Sequence, residues 1–181
     1  MEAVSTPIGH YAPDFELPGI DGSVHHLARY LEKHRAVGVV FMGNHCPYVQ
    51  QYLERLKRLQ AEFQPDGFTL IGINPNDLEQ VPTEGFEQMT ALAIAADFNF
   101  PYLRDVTQDV AQTFGAEKTP HVFVINQAGA ICYGGAIDDN ADDPQAIQHS
   151  YFRDAIRQVL DGQTVTISAT KPVGCAIKWR K

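Results

Sequence analysis

Cysteine is scarce in this chain: three residues among 181, at positions 46, 132 and 175. So few thiols, so scattered, exclude a disulfide-built scaffold, and in a reducing compartment any pairing among them is transient or catalytic. An excess of basic charge is also missing. Lys and Arg number 14 against 22 Asp and Glu, a formal net charge of -8 with a pI near 5.2, which argues against a general affinity for nucleic acid or an anionic membrane. No apolar run approaches the ~20 residues that a membrane span requires. Met1 to Ala12 carry neither a basic start nor an apolar stretch, so no secretory signal is expected and the chain is expected to be cytoplasmic. No repeat, low-complexity tract or linker divides it. His25, His26, His34, His121 and His149 are scattered and read as surface or edge residues. No group of His, Cys, Asp and Glu stands at metal-ligand spacing, so neither a metal nor another cofactor is expected.

What is present is ordinary globular material, 44% hydrophobic and 20% charged, enough for one domain over residues 1–181. Residues 11–24 carry two turn signals around a short apolar alternation and predict an N-terminal hairpin or extended lead-in. The near-continuous apolar run Ala36 to Met42 predicts a buried central strand. From Pro47 to Gln64, the spacing of Val49, Tyr52, Leu53, Leu56, Leu59 and Phe63 marks one face of a helix. A second buried strand is expected over Phe68 to Ile73 and a second helix over Glu84 to Phe98. Asp105 is placed to cap a short helix ending at Gly115. His121 to Asn126 and Ile131 to Gly135 flank a Gly-containing turn and predict a β-hairpin. Ser150 to Leu160 predicts a last helix, stopped at Asp161-Gly162. Strands and helices in this order imply an α/β fold, a mixed central sheet with helices on both faces. The Asp138-Asp139-Asn140 turn reads as a solvated acidic loop, with weak calcium binding as its remoter use.

The chemistry-bearing segment is Gly43-Asn44-His45-Cys46, between the first buried strand and the helix that Pro47 opens. Thiolate is the reactive form of cysteine, and a helix N-terminus favours it by placing positive dipole and free N–H groups beside the sulfur. Cys46 therefore reads as a redox thiol, or else as a packing cysteine. His45 stands ready to stabilise a thiolate or shuttle a proton, or is an exposed turn histidine. Cys132 alternates with Ile131 and Tyr133 and reads as a core thiol.

Several stretches resemble the redoxin proteins, a thioredoxin-like group related to alkyl hydroperoxide reductases and thiol-specific antioxidants. Ala12-Pro13-Asp14-Phe15 through Asp21-Gly22 is similar to the opening of that group. Asn44-His45-Cys46-Pro47-Tyr48-Val49 resembles the active-site segment of a subgroup described as thioredoxin-like thiol-disulfide isomerases. Asn76-Asp77, Pro101 to Asp105, Thr119-Pro120, Ile137 to Asn140 and the tail Gly174-Cys175-Ala176-Ile177-Lys178-Trp179 extend the likeness over almost the full length. The resemblance implies a Cys-x-x-Cys pair whose first, attacking member is replaced here by Gly43. That glycine either marks a lost thiol that leaves Cys46 more accessible, or is a plain turn glycine. Restoring the thiol by Gly43→Cys is then expected to raise insulin-type disulfide reduction. The resemblance also implies a cis Thr119–Pro120 bond opposite the active-site cysteine, the alternative being a trans proline at a strand start. With a cis bond, the Thr119 backbone is placed to pair with an extended peptide, so Gly43, Asn44, Thr119 and Pro120 are candidate substrate-binding positions. The tail, residues 163–181, is expected to dock on the body through its Ile and Trp. If it docks near residue 46, Cys175 resolves an oxidised Cys46 in place of the missing partner; otherwise it is a packing cysteine. Cα atoms more than about 7 Å apart exclude a bridge.

Three functions compete. The first is a thiol-disulfide oxidoreductase working through Cys46, with protein or small-molecule thiols and disulfides as partners. The second is a peroxiredoxin-like peroxidase, whose motif Pro-x-x-x-Thr-x-x-Cys puts its cysteine at Cys46 but its Thr at Gly43, its Pro at Val39 and its peroxide-orienting Arg at Cys132. Without that hydroxyl and guanidinium, fast peroxide attack lacks its charge-stabilising donors. The third is a catalytically silent thioredoxin-fold binding module.

Overall fold

In the computed structural model, which describes residues 8–181, the chain opens with the antiparallel hairpin β1 (Glu16–Pro18) and β2 (Val24–His26). Residues 1–7, which carry most of the secretory-signal expectation, lie outside the described residues. After α1 (Leu27–Lys33) come β3 (Ala36–Phe41), α2 (Pro47–Phe63), β4 (Phe68–Asn74), α3 (Phe86–Ala95), β5 (Tyr102–Arg104) and α4 (Asp109–Phe114). The chain continues through β6 (Lys118–Thr119), β7 (His121–Asn126), β8 (Ile131–Gly135), α5 (Tyr151–Leu160) and β9 (Cys175–Ala176).

The central sheet has the order β5-β4-β3-β7-β8. β3 runs parallel to β4, from Ala36↔Phe68 to Phe41↔Ile73, and antiparallel to β7, from Ala36↔Asn126 to Phe41↔His121. Both β3 and β4 are buried at every residue, as apolar strands covered on two faces must be. Alternate side chains divide between two cores. Val40, Leu70, Val122 and Tyr133 point to the face covered by α2, α3 and α5. Val37, Val39, Ile71, Phe123 and Ile131 point to the other, with Leu27 of α1 and Ala111 and Phe114 of α4. The six predicted apolar positions of α2 are all buried, so its helical stripe is the contact surface with the sheet.

The sequence did not reveal α1, β5, β6 or β9. Each is short, and α1 has no side-chain cap and no acidic first turn; such elements exist because the sheet and tail hold them, not by local propensity. The second helix begins two residues later than expected, because Pro82–Glu84 forms a separate 3₁₀ turn. Three side-chain expectations need correction. Cys132 is only half-buried and free, because β8 is the edge strand of the sheet and leaves it in a surface pocket with Asn126, at the end of β7, and Gln163, beyond α5. Asp138 is buried, held by Tyr52 Oη at 2.8 Å and Arg55 Nη1 at 2.9 Å, which turns an apparently solvated acidic loop into an anchor for α2. His121 is buried and stacked on Phe123 with ring centroids 4.6 Å apart; burial pushes its pKa down to about 4.

Candidate functional site

The site grows out of the end of β3. Met42 N still donates to Ile73 O at 2.9 Å, then Gly43 to His45 turn the chain into α2. Cys46 is the N-cap residue, with extended backbone (φ -68°, ψ 121°), and Pro47 follows in the first turn, where no N–H is needed. The 17-residue helix points its N-terminal dipole at the sulfur. Cys46 is 8% exposed; the accessibility expected from a bare position 43 is not found.

Cys46 is joined to Cys175 by a disulfide, with Cα atoms 6.1 Å apart, inside the ordinary range for a bridge. The distal thiol arrives on β9, which pairs antiparallel with β6, Thr119 opposite Cys175 and Lys118 opposite Ala176. Thr119–Pro120 is a cis peptide bond, as expected. The Thr119 carbonyl oxygen lies 3.1 Å from Cys46 Sγ, an acceptor for that thiol when it is reduced. Gly174 packs so closely against the Thr119 carbonyl that a Cβ there would collide with it. A glycine before Cys175 is therefore what lets the tail reach the sulfur. The chain's own tail thus occupies the backbone edge of Thr119.

The space beside Gly43 is filled. A Cβ at 43 would stand 2.8 Å from Asn76 Nδ2 and 3.3 and 3.4 Å from the two carboxylate oxygens of Glu84. Glu84 is buried and forms the hub of a polar network under the turn. Its Oε2 accepts from Asn44 N at 2.8 Å and Asn74 Nδ2 at 2.7 Å. Asn44 also donates to Thr83 O at 3.0 Å and accepts from Tyr102 Oη at 2.8 Å. Burial, then the Glu84 charge, raises the Tyr102 phenol well above its ordinary range, so it stays a donor. Arg104 reaches into the same network, donating from Nη1 to Asn74 and from Nη2 to Asn76 O. His45 is exposed, its Nε2 3.2 Å from Thr83 O.

The structure therefore brings Gly43, Asn44, Cys46, Thr119, Pro120 and Cys175 together, with His45 on the rim. Glu84 and Asn74 were not visible as site residues. Glu84 sits in Val81-Pro82-Thr83-Glu84-Gly85, where no periodicity marks a buried carboxylate, and only folding sets it under the turn. Two bonded sulfurs, one at a helix N-terminus, are a group that thiol exchange can open to a dithiol.

Comparison with known proteins fits this architecture. The family description AhpC/TSA matches residues 8–133, a stretch that contains Cys46 and Pro120 but stops short of Cys175. The thiol-disulfide oxidoreductase ResA of Geobacillus thermodenitrificans is 25% identical over 130 residues, 72% of this chain and 70% of that protein. A hypothetical protein of Sinorhizobium meliloti 1021 superposes with a TM-score of 0.89 at 32% identity, over 97% of this chain and 96% of that one. A putative thiol:disulfide interchange protein DsbE of Chlorobium tepidum has the same thioredoxin-like fold, with a TM-score of 0.66 at 20% identity over 87% and 98% of the two chains. With a thioredoxin-like sheet, a cis-proline opposite the helix-start cysteine and the family match over most of its length, this chain belongs to the AhpC/TSA family.

Proposed function

We propose that the protein is a thiol-disulfide oxidoreductase whose redox couple is Cys46 and Cys175. The observation that carries this reading is their pairing across 129 residues of sequence at a helix N-terminus. The name of its ResA relative and the family membership support it. Position 43 offers no hydroxyl and position 132 no guanidinium, so the peroxidase reading gains no support.

In the forward direction one protein thiolate attacks a substrate disulfide, R–S–S–R′, and releases R′SH after protonation. The second protein thiol displaces RSH from the mixed disulfide and closes Cys46–Cys175. Two electrons and two protons pass to the substrate, and an external thiol restores the dithiol by the same steps reversed. The helix dipole favours Cys46 as the thiolate. In this reading Gly43, Asn44, Thr119 and Pro120 are the substrate-binding positions, with the Thr119 carbonyl against Cys46 Sγ, and exposed His45 is the proton-handling group. The substrates are thiols and disulfides, of small molecules or proteins.

The test is turnover of glutathione disulfide and of insulin by the wild type, Cys46→Ser and Cys175→Ser. Cys46→Ser is expected to be inactive. Cys175→Ser is expected to form one mixed disulfide per chain but turn over at least about tenfold more slowly, because no internal thiol releases the product. Wild-type turnover by Cys175→Ser would defeat the proposal.

A further inference from the structure

Beyond the disulfide, the last residues of the tail are bound to the body by contacts that owe nothing to the sulfur–sulfur bond. Ile177 is 4% exposed and sits in the core that also holds Phe114, Ala116 and Phe123. Trp179, the single tryptophan, packs half-buried against the same core. The main chain between and beyond them is gripped by polar groups of the body. Lys178 N donates to Asn76 Oδ1 at 3.0 Å, while Lys178 O accepts from Asp77 N and from Gln108 Nε2, each at 2.9 Å. Gln108 Oε1 accepts from Arg180 N at 2.9 Å, and Gln80 Nε2 donates to Trp179 O. Asn76 and Gln108 are buried. Undocking would leave Asn76 Oδ1 and Gln108 Oε1, both on buried side chains, without these partners, which is costly. The Lys178 side chain itself is exposed, so the grip is on backbone.

We propose that Ile177 to Arg180 are a clamp that holds Cys175 beside Cys46 in the reduced protein as well as the oxidised one, making Ile177, Asn76 and Gln108 positioning residues for the redox couple. This rests on the reading of Cys46 and Cys175 as that couple. The governing exchange is Cys46–SH + Cys175–SH + GSSG ⇌ Cys46–S–S–Cys175 + 2 GSH. Its equilibrium constant is the effective concentration of one protein thiol at the other. A tail already seated presents Cys175 at a high effective concentration, whereas a tail free to wander dilutes it. Asn76 adds a link to the active-site turn: its Nδ2 lies against the bare position 43, and its Oδ1 holds the tail.

Two measurements on the full chain test the clamp. Trp179 fluorescence reports docking directly. On reduction the wild type is expected to keep the emission of its oxidised form, while reduced Ile177→Asp, which puts a charge into the apolar seat, is expected to show solvent-exposed emission. Equilibration in glutathione buffers, read by alkylation and mass, gives the exchange constant. Ile177→Asp is expected to lower it at least about tenfold, or about 30 mV for a two-electron couple. Lys178→Pro, which removes the N–H given to Asn76 and fixes the backbone φ there, is expected to shift it in the same direction and serves should Ile177→Asp fail to fold. Ala176→Ser, on an exposed side chain of the same strand, is expected to leave it within about twofold. The clamp is overturned if reduction frees Trp179 in the wild type, or if the folded clamp variants keep the wild-type constant. Either result leaves the redox couple standing. Failure of the wild type to form Cys46–Cys175 in any glutathione buffer would remove the couple itself.

Discussion

At Gly43 the structure changes the meaning of a missing thiol. A side chain there would have to displace the Asn76 amide, 2.8 Å from the Cβ position and itself held by Asn74 Oδ1 at 3.2 Å, and would crowd the Glu84 carboxylate. Gly43→Cys is therefore not a simple restoration. Overpacking should cost about 1–3 kcal/mol, read as a lower urea midpoint. Displacing Asn76 should also weaken the grip on Lys178, so that the introduced thiol takes over Cys46 and Cys175 becomes open to alkylation in the oxidised protein. Unchanged stability with Cys175 still protected would show that the pocket accommodates the side chain. His121, directly after the cis-proline, carries a prediction in pH. Burial holds its folded pKa at about 4, against about 6.5 for a solvent-exposed imidazole. Between those values the unfolded chain takes a proton that the folded protein refuses, so stability falls as pH drops from about 6.5 towards 4 and is untouched above that window. The contribution is up to about 3 kcal/mol. In His121→Gln, denaturant unfolding between pH 7 and 4 should show a loss smaller by that amount; identical slopes in the two proteins would refute it.

Among the elements, α4 shows how a short helix is kept. It has six residues and a left-handed residue, Gln108, at its N-cap (φ 68°), a poor start on local grounds. Asp105 compensates from outside: its Oδ2 accepts from Ala111 N at 2.8 Å. Asp105→Ala should cost about 1–2 kcal/mol, the usual loss of a cap. It should loosen the tail as well, since Gln108 holds both Pro75 O and Lys178 O. Asp105→Asn keeps an acceptor and should lose less; equal losses in thermal unfolding would mean that charge, not capping, is what matters. The role of Asp105 was legible because a carboxylate before a short apolar helix is a local signal. So were β3, β4, α2 and the β7–β8 hairpin, where periodicity or a turn glycine speaks for itself. Cys46 at the helix mouth was legible in the same way, whereas the cis bond at Pro120 was legible only through family likeness. What escaped the sequence depends on distant partners. β5 has three residues and β9 two, defined only by the strands they join. Glu84 is buried because the loop folds under the Asn44 turn, and Asp138 because Arg55 and Tyr52 reach it. No local pattern records such meetings.

For the molecule as a whole, the disulfide ties the mouth of α2 to the tail and closes a loop 129 residues apart in sequence. Most of the chain, including the entire central sheet after β3, lies inside that loop. Cross-linking so long a segment removes conformational freedom from the unfolded ensemble, and the chain-entropy estimate for this length is up to about 5 kcal/mol. The folded side of the balance changes little, because the clamp holds the tail in place by non-covalent contacts. Redox state should therefore be visible as global stability: the oxidised protein should unfold at a higher urea concentration than the reduced one, by an amount equivalent to about 3–5 kcal/mol. Linkage makes the argument run both ways. A disulfide that stabilises the fold is itself harder to reduce in the folded protein than in the unfolded chain, so the clamp, the core and the exchange equilibrium form one coupled system. Cys175→Ser supplies the control, since it should show the lower midpoint with or without dithiothreitol. Coincident unfolding curves for oxidised and reduced wild type would mean that the unfolded chain is already restricted as much as the cross-link would restrict it.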